Sequence, residues 1–94
     1  MTQDAYYLFT FRSTHAAIRA QALLGSVTFI VMPTLRQISA SCGISLRVAP
    51  EQLPAAQAAL SALNAPVSLY YVTQNGTKVQ AKAIFLDSLP RDGS

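Results

Sequence analysis

The stretch Ile44-Ser45-Leu46-Arg47-Val48-Ala49-Pro50-Glu51-Gln52-Leu53 changes its hydrophobic period partway along. Ile44, Leu46 and Val48 alternate with Ser45, Arg47 and Ala49, the pattern of a strand with one buried face. Beyond Pro50 the spacing lengthens. Leu53, Ala56, Leu60 and Leu63 recur at steps of three and four, so one apolar stripe runs along a helix that opens at Pro50 and stops at Asn64-Ala65-Pro66. Pro54 is compatible with that helix only inside its first turn, where the missing amide hydrogen is not needed.

Toward the N-terminus the same two periods recur. Ala5 to Phe11 is a short aromatic run suited to a buried strand. Ser13 or Thr14 offers an oxygen to the free amides of a helix from about His15 to Leu24, with Ala17, Ala20 and Leu24 at helical spacing and Gly25 at its end. Val27 to Met32 is a second strand, closed by Pro33, which cannot donate to a ladder. Toward the C-terminus, Val67 to Thr73 reads as a fourth strand, Asn75-Gly76 as a hairpin turn, and Lys78 to Leu86 as a fifth strand pairing back. The tyrosines Tyr6, Tyr7, Tyr70 and Tyr71 are expected to pack across the first and fourth strands.

The order strand, helix, strand, strand, helix, strand predicts an α+β two-layer sandwich of the ferredoxin-like βαββαβ kind, with an extra C-terminal edge strand. Residues 1–94 form a single domain, with a core of about 5–86 and a flexible tail over 87–94. Right-handed crossovers then place the loop from Thr34 to Gly43, the Arg12-Ser13-Thr14-His15 segment and the end of the second helix at one edge of the sheet.

Composition narrows the function. The chain is 51% hydrophobic and 12% charged, apolar enough to fold and too sparsely charged for a disordered tail. Its net charge of +3 is the balance of four acidic residues against seven basic ones, Arg12, Arg19, Arg36, Arg47, Arg91, Lys78 and Lys82, which are scattered singly. Nucleic-acid binding needs phosphate contacts gathered on one face, so that class is set aside. No run reaches the ~18 apolar residues of a membrane span and the N-terminus lacks a basic signal region, which gives the expectation of a cytoplasmic protein with no membrane partner. The single Cys42 excludes an internal disulfide and a CxxC redox pair. With His15 as the other ligand of the usual kind, a zinc site built by one chain is excluded too, and no metal or cofactor is expected.

Cys42 lies in a loop with Arg36, Ser39, Ser41 and Gly43. An unperturbed thiol with a pKa of about 8.5 is mostly protonated at neutral pH, and bringing it to ~7 calls for about 2 kcal/mol of preference for the thiolate. A helix N-terminus contributes ~0.3–1 kcal/mol when exposed and up to ~2 when partly buried, and Arg36 or Arg12 within about 4–6 Å would supply the rest. Ser39 and Ser41 can donate hydrogen bonds to a sulfur anion, while Gly43 permits an unusual backbone angle and close approach of another molecule. The residues alone leave a second reading equally open, in which Cys42 is an inert packing residue, Arg36 is solvated and His15 merely starts a helix.

Phe9-Thr10-Phe11-Arg12-Ser13-Thr14-His15-Ala16-Ala17, then Met32-Pro33, then Arg36-Gln37-Ile38-Ser39-Ala40-Ser41-Cys42-Gly43-Ile44-Ser45-Leu46-Arg47, resembles the selenium/sulfur carrier protein-like family of small bacterial proteins, over about residues 5–73. The Arg-x-Ile-Ser-x-Ser-Cys-Gly stretch carries most of the likeness. The resemblance implies a carrier, not a turnover enzyme. Cys42 would accept a persulfide or perselenide from a donor such as a cysteine desulfurase and pass it to an acceptor protein. Arg36, Ser39, Ser41, Gly43, Arg12, Ser13 and Thr14 would surround the sulfur, and His15 would assist proton transfer. Pro33-Thr34-Leu35-Arg36 departs from the family's Pro-x-Pro-Arg, and the hairpin from Thr73 to Leu86 extends past its usual core. A competing expectation is a regulatory or structural module whose sheet pairs with a second copy as a homodimer and whose loop binds a small anion.

Overall fold

The computed structural model describes the chain apart from residues 1–2, 36–37, 39–42 and 89–94, and apart from the side chains of residues 3 and 86–88. In chain order the elements are β1 (Gln3–Phe11), α1 (Thr14–Leu23), β2 (Ile30–Pro33), β3 (Ile44–Val48), a 3-10 turn (Pro50–Gln52), α2 (Leu53–Leu60), β4 (Val67–Asn75) and β5 (Lys78–Ser88). The strands form one five-stranded sheet in the order β2-β3-β1-β4-β5, and each neighbouring pair is antiparallel. The molecule is thus a mixed α+β domain of one antiparallel sheet and two helices.

The alternation read in β3 sorts the two faces of the sheet. Leu46 and Val48 are buried on one face with Phe9 and Phe11 of β1, Val67 and Leu69 of β4, and the inward residues of both helices. From α1 those inward residues are Ala16, Ala17 and Ala20, followed by Leu24 at its C-cap; α2 contributes Ala56 and Leu60, and Leu63 follows just after it. Three alanines on the buried side of α1 let its backbone lie close to the sheet, so small side chains here serve packing as bulky ones do elsewhere. Tyr7 and Tyr71 are opposite one another in the register, with ring centroids 5.0 Å apart and planes tilted by 50°, an arrangement favoured by aromatic quadrupoles.

The other face carries a smaller core. Tyr6, Leu8 and Val72 are buried there together with Ile38, which belongs to none of the strands or helices. Met32, Leu35, Tyr70, Val79 and Ala81 pack around them. The connection between β2 and β3 therefore folds back over the sheet at Ile38, and the face away from the helices is not left open.

Several boundaries differ from the sequence expectation. β2 begins at Ile30, because Val27 is drawn into the helix-side core and its amide donates to the carbonyl of Leu24 at 2.8 Å. The second helix is divided. Pro50 opens a 3-10 turn, α2 starts at Leu53 with Pro54 in its first turn, and it ends at Leu60, after which the Leu63 amide donates to the Leu60 carbonyl. β4 runs two residues past Thr73, and β5 continues to Ser88, two residues past the expected core end. The ladder between β4 and β5 is also irregular, with register shifts on either side of Leu69. Val79 and Ala81 pack with the second core, and strict alternation would send Phe85 the same way. The shift sets Phe85 opposite Leu69 and turns it onto the helix-side core.

Candidate functional site

Four chain ends converge on one edge of the sheet. Phe11, the last residue of β1, pairs with Val67, the first of β4, and Pro33, the last of β2, pairs with Ile44, the first of β3. α1 starts from the same end of β1. Ser13 is its N-cap, extended at φ −143 and ψ 156, and its hydroxyl accepts a hydrogen bond from the Ala16 amide at 3.1 Å. Arg12, Ser13, Thr14 and His15 are exposed around that cap, with Arg12 and Thr14 engaged in further interactions.

The loop from Thr34 to Gly43 is anchored at its base. The Thr34 amide donates to the Gly43 carbonyl at 3.0 Å, and the Thr34 and Ser45 hydroxyls lie 2.8 Å apart. Midway, the Ile38 amide donates to the Leu35 carbonyl at 3.0 Å while the Ile38 side chain inserts into the second core. Its two ends thus meet at the sheet edge, while Ile38 rests on the face away from the helices. Arg36, Ser39, Ser41 and Cys42 lie outside the described residues. Gly43 does not adopt the unusual backbone angle expected of it: the positive-φ glycine among the described residues is Gly76, and the room where a Gly43 side chain would stand is open for at least 4 Å. Gly43 is exposed.

Beside the base of this loop lies a row of hydroxyls that the sequence reading did not single out. Ser45 of β3 pairs with Thr10 of β1, which in turn pairs with Ser68 of β4. Their exposures are 0%, 3% and 7%, so three hydroxyls cross three strands almost out of contact with solvent. Burying a hydroxyl without a partner costs about 1–3 kcal/mol. Among the described residues no fully buried side-chain nitrogen or oxygen lacks a partner, and the Ser45 hydroxyl finds that of Thr34. Each member of the row sits one residue from a core position, at Phe9, Leu46 or Leu69, but the row becomes visible only when three strands are set in register.

No cluster of three or more histidine, cysteine or acidic side chains that would hold a metal occurs among the described residues. Among them, too, no helix is long and apolar enough to cross a membrane.

The fold is that of a small mixed α+β domain in which the ends of the β2–β3 connection and the capped start of α1 share one sheet edge. The family model described as "Putative Se/S carrier protein-like" matches residues 6–72, from β1 into β4 and including the whole loop. The chain belongs to that family. No curated protein and no solved structure matches it.

Proposed function

We propose that the protein is a cytoplasmic carrier of sulfur or selenium, with Cys42 as the atom-bearing residue. The observation that carries this reading is membership of the carrier-like family over residues 6–72, a span that includes Cys42. In the transfer, the Cys42 thiolate attacks the terminal sulfur of a donor persulfide. A new sulfur–sulfur bond forms at Cys42, the donor's sulfur–sulfur bond breaks, and the donor leaves as its thiolate, with the proton remaining on the transferred sulfur. Delivery to an acceptor protein is the same exchange with Cys42 as the leaving group. Exchange of this type requires an attacking thiolate and access to it. The open surroundings of Gly43 support access, and the capped start of α1 at the same sheet edge, with exposed Arg12, supports a local preference for negative charge.

We also infer that the scaffold is a ferredoxin-like sandwich extended by β5. The insertion of β3 between β2 and β1, with β4 on the far side of β1, supports it.

The test is incubation of the purified protein with a cysteine desulfurase and cysteine, followed by intact-mass and peptide mass spectrometry. The expected product carries the added mass of one sulfur on Cys42, removable by a thiol reductant and absent from Cys42→Ser. Unmodified protein after exposure to several donor enzymes refutes the carrier role. The regulatory alternative rests on exposed Ile30 and Val31 in edge strand β2, which would suit pairing with a second copy; it predicts that Cys42→Ser retains function.

A further inference from the structure

At the other end of β3 from the loop, the guanidinium of Arg47 lies over the ring of Tyr6, 4.1 Å from its centroid. Tyr6 is 2% exposed and fixed in the second core, so its ring is a rigid support for a planar cation. Arg47 is half-buried, and its interaction among the described residues is this one with Tyr6. Stacking through the plane of the guanidinium leaves the N–H fork around its rim, the part that recognises a carboxylate through two parallel hydrogen bonds.

A recess of about 160 Å³ opens beside this pair. Thr28, Phe29 and Ile30 form its second wall, and Ile30 stands directly opposite Arg47 in the β2–β3 register. Ile30 is 56% exposed, a large apolar surface left to solvent next to a cation. Among the described residues, no acidic side chain lines the recess. Sites for drug-sized ligands run from about 300 Å³ upward, so this one suits a smaller occupant. Charge and shape together call for a molecule with one anionic, planar head to meet Arg47 and a short apolar body to cover Ile30.

We propose that this recess binds a small organic monocarboxylate, with Arg47 gripping the carboxylate and Ile30 packing on its body. The site is distinct from the Cys42 loop and does not depend on the carrier reading. The Ile30–Arg47 pair lies three positions along the ladder from the Pro33–Ile44 pair at the base of the loop, or roughly 10 Å at ~3.3 Å per residue.

The experiment is a titration of ¹⁵N-labelled protein with sodium benzoate at low salt, followed by amide chemical shifts, with benzamide and inorganic phosphate as comparison probes. The expected result is saturable movement of the amides of Tyr6, Thr28, Phe29, Ile30 and Arg47 with benzoate, and little or none with neutral benzamide or with phosphate. Arg47→Lys, which keeps the charge and loses the fork, is expected to weaken benzoate at least tenfold. Ile30→Glu changes an exposed position and sets a negative charge at the rim; it is expected to weaken benzoate comparably, with the dispersion of the spectrum unchanged. An unmoved spectrum at tens of millimolar benzoate overturns the proposal, as do equal shifts from benzamide or phosphate, or unchanged affinity in either variant.

Discussion

Replacing Ile38 by alanine tests whether the connection between β2 and β3 is part of the folded core. Ile38 is 5% exposed and packs with Tyr6, Leu8 and Val72, all buried. Burying an isoleucine side chain contributes about 1.5–3 kcal/mol, and truncation of isoleucine to alanine in a core costs about 2–5 kcal/mol once the cavity is included. The second core is small and bordered by half-buried neighbours able to relax, which places Ile38→Ala near the lower bound, at about 2 kcal/mol. For a domain of this size each kcal/mol moves the melting temperature by roughly 4–8 °C, so Tm should fall by about 8–16 °C. Urea unfolding followed by tyrosine fluorescence and by circular dichroism should show a lower midpoint with an unchanged slope. Ile84→Ala is the control: Ile84 is 49% exposed in β5, and its loss should stay within about 0.5 kcal/mol. A midpoint for Ile38→Ala as little changed as that of the control would refute the account. If Cys42 alkylation accelerated while the midpoint stayed put, the loop would be a separate unit that opens without the core, contrary to the packing described.

Two further outcomes follow from local geometry. Ser13→Ala removes the oxygen that accepts from the Ala16 amide and should cost about 0.5–2 kcal/mol, whereas Ser13→Asp should restore the cap; thermal melts of both distinguish loss of the cap from a general surface effect. Gly76 has φ 66 in the turn between β4 and β5, so Gly76→Ala should destabilise by about 1 kcal/mol although nothing would touch the added methyl group, and Gly76→Asn should be milder; equal stability of the three proteins in urea would contradict a purely backbone cost.

Local signals carried most of the architecture. The change of period after Val48 and the serine cap before α1 each concern residues within a few positions of one another, and the corresponding elements appear there; the hairpin signal at Asn75-Gly76 falls one residue early, since Asn75 ends β4 and Gly76-Thr77 make the turn. What went unread depends on partners remote in sequence. One isoleucine in a polar segment has no periodicity to announce that it is buried, so Ile38 and the covering of the second face were invisible. The Phe85 turn onto the helix side comes from a slip in pairing with β4, which no pattern internal to β5 encodes. Of the candidate site, element order was enough to put the start of α1 and the two ends of the β2–β3 connection at one sheet edge. The hydroxyl row of Ser45, Thr10 and Ser68 was not legible in this way, because its members come from three strands and alternate with core residues like any polar position.

The residues matched by the family model stop at 72, inside β4, so the end of β4 and all of β5 are additions to the matched region. During synthesis this matters for timing. β4 carries Val67, Leu69, Tyr70, Tyr71 and Val72, and until β5 exists its outer backbone groups have no strand to pair with. β5 follows after a tight turn, and at the usual ~5–20 residues per second its residues emerge within about one to three seconds. The exposed aromatic ribbon on the nascent chain is thereby short-lived, and the border finally presented to neighbouring molecules is a strand punctuated by the charges of Lys78 and Lys82.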